Sequence, residues 1–119
     1  ISYSEDPFEL EELFEALGVE LGTSKLDRDN LPSIRMVVGC SLGLITVDPS
    51  SSKVRLVHFT LQGYLHASST LFHSPHSMMA EVCLKYLNFQ SIRELSPTLH
   101  LAPPTTPFLD YALCHWGTH

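Results

Sequence analysis

The stretch that most limits the possible folds is "LGLITVDPSSSKVRLVHF", Leu42 to Phe59. Two β-branched runs stand either side of a turn rich in Pro and Ser, the pattern of an antiparallel hairpin with a longer loop. The sequence on both sides of it is patterned for helices, so the expected class is α+β, with the hairpin set among helices. Period 2 along the second run puts Val54, Leu56 and His58 on one face and Arg55, Val57 and Phe59 on the other. His58 then shares a face with two aliphatic side chains, immediately before the next helix.

Upstream, Asp6 is a candidate N-cap, with Pro7 at the first helical position and Glu9 at the third. Leu10, Leu13, Phe14, Leu17 and Leu21 follow at helical spacing, and Gly22 is the expected stop. A second cap is expected at Asn30, ahead of a stripe of Ile34, Val37, Val38 and Ser41 that ends near Gly43. Helix, helix, hairpin is the element order of a winged helix, expected over residues 1–72.

After the hairpin, Thr60 is the expected cap of a short helix, "LQGYLHA", in which Gly63 costs roughly 1 kcal/mol relative to Ala. Ser74 and Pro75 open a longer helix with Met79, Val82, Cys83, Tyr86 and Leu87 along one side, ending near Asn88 to Gln90. "SPTLHLAPPTTP" is too rich in proline for regular structure. A last helix in "FLDYALCHWGTH" is expected to bury Phe108, Leu109, Ala112 and Trp116. Residues 73–119 thus read as the first helices of an all-α connector.

Composition bounds the functions. With 119 residues, 44% hydrophobic and 17% charged, the chain can form one small domain, or one domain and the first elements of another. Thirteen acidic residues against seven basic ones give a formal charge of −6, and the basic residues are scattered. That pattern argues against nucleic acid as a partner. Cys40, Cys83 and Cys114 form no CxxC pair and read as reduced thiols in the core of an intracellular protein. No apolar run approaches the roughly 18 residues of a membrane span, and the N-terminus shows no basic region followed by an apolar signal segment, so the expected location is cytoplasmic, with no membrane partner. The absence of an initiator Met marks the chain as an expected piece of a longer protein.

Several strings invite chemical readings. "GCSLG", Gly39 to Gly43, is a literal G-x-S-x-G that would make Ser41 a hydrolase nucleophile. A helix-like pattern precedes it and a broken β-branched run follows it, so a helix C-terminus with a glycine stop is the expected structure. His73 and His76 in "HSPH", and Cys114, His115 and His119 in "CHWGTH", suggest metal ligands, yet neither string holds a complete set and no metal is expected. A DNA-reading helix over Leu31 to Cys40 would have only Arg35 to offer, with Lys53 and Arg55 on the hairpin. His58 is either a satisfied histidine at the core edge or, beside a helix start that favours anions, a donor to phosphate. No G-x-x-x-x-G-K-[ST] loop occurs in the chain, so the rest of any such phosphate site would lie in another domain.

"ISYSEDPFELEELFEALGVELG", "IRMVVGCSLGLITVD", "VRLVHFTLQGYL", "AEVCLKYLNF" and "PFLDYALCHWGTH" together resemble the winged-helix region that follows the NACHT nucleotide-binding module in fungal NLR-like proteins of the STAND class, many of which carry ankyrin repeats further on. The same region is also called the GPI inositol-deacylase winged-helix domain, a label that carries no evidence of deacylase activity. The resemblance implies a non-catalytic regulatory module of a signal-transduction ATPase in innate immunity, without a cofactor of its own. It implies ADP or ATP with Mg in the parent protein, the NACHT module and downstream repeats as intramolecular partners, and assembly of the parent when active. It further implies that a winged-helix histidine reaches the ADP phosphate, a position matched by His58, with Thr60 supporting the helix start. Where related sequences have an acidic residue, giving T-x-x-E, this chain has Gly63.

Overall fold

A computed structural model of the protein describes residues 1–68, 70–95 and 106–119. Its elements run α1 (Leu10–Leu17), a 3-10 turn (Arg28–Asn30), α2 (Ile34–Cys40), β1 (Ile45–Val47), β2 (Val54–Leu56), α3 (Phe59–Ala67), α4 (Pro75–Leu87), α5 (Gln90–Arg93) and α6 (Leu109–His115). Helices with a two-stranded antiparallel hairpin place the described residues in the α+β class. Most of "SPTLHLAPPTTP", expected to be irregular, lies outside the described residues.

The first helix starts later than Asp6. Phe8 O accepts from Val54 N at 2.8 Å and Leu10 N donates to Ser52 O at 2.9 Å, with Glu9 bridged antiparallel to Lys53. The backbone that Asp6 and Pro7 would have turned into a helix is instead extended along the hairpin. Glu9 becomes the N-cap, its N–H held by the Glu12 carboxylate at 2.7 Å. The helix also stops before Gly22. Gly18 is its C-cap, and a Cβ there would run into the Leu31 and Leu26 side chains, so close packing fixes both the glycine and the stop. Leu21 consequently falls beyond the helix and is exposed.

Asn30 does not cap α2 either. Pro32 holds Leu31 extended, at ψ 137°, so a helix cannot run through it, and Ser33 takes the cap by accepting from Met36 N at 3.3 Å. Asn30 instead ends the 3-10 turn that Asp27 caps through Asp29 N. The hairpin pairs Ile45 with Leu56, Thr46 with Arg55 and Val47 with Val54. Its turn is closed by Asp48, whose carboxylate accepts from Ser50 N and Ser50 Oγ at 2.9 and 2.7 Å, contacts that hold it down at about 2.

The core draws Phe8, Leu13 and Val54 from the first half of the chain and Cys83, Tyr86, Phe89, Phe108, Leu109, Tyr111 and Ala112 from the second. Met79, Val82 and Leu87 of α4 pack against it, as the spacing predicts, and α4 ends at Asn88. Phe108 is central to the aromatic part, with ring centroids 5.1 Å from Tyr86, 5.6 Å from Tyr111 and 6.1 Å from Phe8. Two expected core placements fail. Trp116 is the C-cap of α6 rather than part of its body and stays 47% exposed. Of the cysteines only Cys83 is buried, because α2 buries no residue and Cys114 lies on the solvent side of α6.

A carboxylate ties these parts together. Glu15, 2% exposed, accepts from Tyr86 Oη at 2.7 Å, from Phe108 N at 3.1 Å and from Arg28 Nη2 at 3.1 Å. Burial first, and then the bond to Glu15, hold the Tyr86 phenol far above its ordinary range. One side chain of α1 thereby fixes α4, the start of α6 and the 3-10 turn. No helix among the described residues is long and apolar enough to cross a membrane.

Candidate functional site

The hairpin's last rung is Val57 N to Leu44 O at 2.9 Å, and the chain turns there into α3. His58 occupies the turn as N-cap, extended at φ −148° and ψ 143°. Its Nδ1 accepts from Thr60 N at 3.3 Å and from the Thr60 hydroxyl at 2.8 Å. The neutral tautomer that satisfies both contacts carries its hydrogen on Nε2. The ring stacks on Phe59 at 4.6 Å between centroids, and both residues are exposed.

Two expectations change here. His58 does not line the core edge beside Val54 and Leu56, because β2 ends at Leu56 and the histidine is consumed by the helix start. Thr60 is not the cap. It is the second residue of α3 and supports the start as a double donor to His58, so Thr60 and position 63 cannot form a capping box. What Gly63 costs is helix propensity alone. Nothing lies within 4 Å of a Cβ built at Gly63, so Gly63→Ala is expected to stabilise the fold by about 0.5–1 kcal/mol, read as a rise in the urea midpoint at unchanged m.

The chain beside His58 is apolar and open. Val57 and Phe59 flank it, Phe59 80% exposed, and Leu44, whose carbonyl accepts from Val57 N, is exposed too, as is Leu42 just before it at 88%. Neither α2 nor α3 buries a single residue. Leu42 also sits in the left-handed region at φ 52°, a conformation costly for a leucine that makes so little contact with its own fold. The α3 helix is held by the N-terminal residues: Ser2 O accepts from Gln62 Nε2 at 3.1 Å and His66 Nε2 at 2.6 Å, and Tyr3 Oη donates to Leu65 O at 3.3 Å.

The other candidates separate clearly. Ser41 is the C-cap of α2, and its hydroxyl donates to Val38 O at 2.6 Å. A helix precedes it and a strand follows, the reverse of a nucleophile elbow. The expected helix end is there, but the left-handed position straight after the cap is taken by Leu42 at φ 52°, with Gly43 following at φ 81°. His73 is exposed, whereas His76 and His119, which belong to different sequence strings, meet with their Nδ1 atoms 3.1 Å apart. No group of three or more metal-ligating side chains forms among the described residues.

Comparison with protein-family models, with curated proteins and with solved structures finds no match to this chain. The resemblance described above accordingly rests on the quoted segments.

Proposed function

We propose that the chain is a regulatory winged-helix module of a cytoplasmic NACHT-type signalling ATPase, packing on the nucleotide-binding module and coupling its ADP or ATP state to downstream repeats. The observation that carries this reading is the state of His58. Thr60 occupies Nδ1, which leaves the Nε2 hydrogen as a donor on an exposed ring, set among large apolar side chains that the fold itself does not cover. A partner surface laid over Leu42, Leu44, Val57 and Phe59 would bury them and bring its own ligand against that donor. The cap makes the geometry rigid, because the ring cannot turn Nδ1 outward without releasing Thr60.

In this reading the module has no chemistry of its own. His58 contributes one hydrogen bond to a nucleotide phosphate, worth about 1.5–3 kcal/mol when one partner is charged. Its loss should therefore speed ADP release from the parent protein by about 10- to 100-fold. His58→Ala would also remove the helix cap, so the informative variant is His58→Asn, which retains a capping side chain but is too short to reach the ligand. Faster ADP release and assembly at lower ATP in His58→Asn are the expected results. Wild-type ADP retention in that variant would remove the assignment.

A further inference from the structure

A second histidine constellation lies away from His58, where the N-terminal arm, α4 and α6 meet. Glu5 N donates to Tyr111 Oη at 3.3 Å, Tyr111 Oη lies 3.0 Å from His119 Nε2, and His119 Nδ1 lies 3.1 Å from His76 Nδ1. Tyr111 is buried, and its hydroxyl has no other acceptor among the described residues, so its hydrogen goes to His119 Nε2. His119 must then carry its own hydrogen on Nδ1 and donate it to His76 Nδ1. His76, which is exposed, keeps its hydrogen on Nε2, facing outward. Every lone pair at the two contacts is in use when both rings are neutral.

An added proton leaves a hydrogen without an acceptor. On His119 Nε2 it reverses that contact, so that Tyr111 Oη accepts and its own hydrogen loses its place on the buried side. On His76 Nδ1 it sets two N–H groups face to face. Tyr3 and His76 meet edge to face at 5.5 Å between centroids, and Tyr111 lies tilted against His115 at 4.6 Å. Glu5 from the arm and His115 from α6 act on His119, Asp6 stands beyond His115, and Glu81 and Lys85 of α4 line the same open hollow as His119. Asp6 pairs with His115 at 3.3 Å but is largely exposed, so that contact adds little.

We propose that the Glu5–Tyr111–His119–His76 chain is a proton-operated clasp, holding α6 and the N-terminal arm against α4 while both imidazoles are neutral and loosening them when the pair takes up a proton. Burial first, and then the neighbouring His76, set His119 below its ordinary value of 6.5, with Glu5 opposing. A histidine depressed in the folded state binds fewer protons there than in the unfolded chain. The clasp therefore contributes its full stability above about pH 6.5 and loses it as pH falls through that value toward the folded one.

The test uses the 119-residue chain, whose one tryptophan, Trp116, caps α6 and reports on its docking. From pH 7.5 to 5.5 the Trp116 emission should shift toward that of exposed indole, and Tm should fall. The double variant His76→Gln/His119→Phe, which retains a hydrogen-bonding amide and an aromatic ring, should flatten both responses. Independently, imidazole nitrogen shifts of the wild type at pH 7.5 should report hydrogen on Nδ1 of His119 and on Nε2 of His76. A wild type with flat emission and Tm over this range would overturn the proposal, as would the opposite pair of tautomers or a variant that keeps the wild-type slope.

Discussion

Replacing Glu15 by alanine is expected to cost about 2–4 kcal/mol of folding free energy, measured by urea unfolding. The cost is not that of a broken ion pair. Arg28 is 55% exposed, and water can solvate its guanidinium once the carboxylate is gone. The loss lies with the two donors on the buried side, Tyr86 Oη and Phe108 N, which become unsatisfied inside the core when Glu15 is truncated. Each buried donor left without a partner costs about 1–3 kcal/mol. Glu15→Gln keeps one carboxamide oxygen for these donors and should cost roughly half as much, whereas Glu15→Leu, similar in bulk but without an acceptor, should behave like alanine. Equal effects of Gln and Leu would show that the donors find other partners and that Glu15 is not what secures them.

Glu15 also marks the limit of what could be read from the sequence. The hairpin was legible because β-branched runs and a Pro-Ser turn constrain backbone locally, and α4 because thirteen residues give its apolar stripe room to repeat. Glu15 looks like an ordinary polar position between Leu13 and Leu17; its burial comes from Tyr86 and Phe108, 71 and 93 residues away. The helix starts fail for a related reason. Asp6 and Asn30 are chemically suitable caps, but the hairpin claims the backbone after Asp6, and Pro32 displaces the start beyond Asn30. His58 stands out in the sequence as a junction residue, but the pattern points to Thr60 for the cap that His58 itself provides. Histidine is an uncommon cap, and only the geometry reveals that its Nδ1 is the acceptor. His76 and His119 were each visible, but their pairing requires α4 and α6 to be packed together.

Phe108→Ala should be the most damaging single truncation, at about 3–5 kcal/mol. The ring is 1% exposed and contacts aromatic rings from the arm, α4 and α6, so its removal opens space that three rigid neighbours cannot readily fill. Its backbone N–H remains to donate to Glu15, which distinguishes this loss from the first one. Because that N–H and the ring share one backbone position, a shift of Phe108 into the cavity would weaken the Glu15 contact as well. Glu15→Ala and Phe108→Ala are thus expected to be less than additive, with a coupling of about 0.5–3 kcal/mol in a double-mutant cycle. Strict additivity would mean that the carboxylate and the aromatic cluster hold α6 independently. Coupling would make them one unit, with the polar contact setting where the ring sits and the ring keeping water from the polar contact.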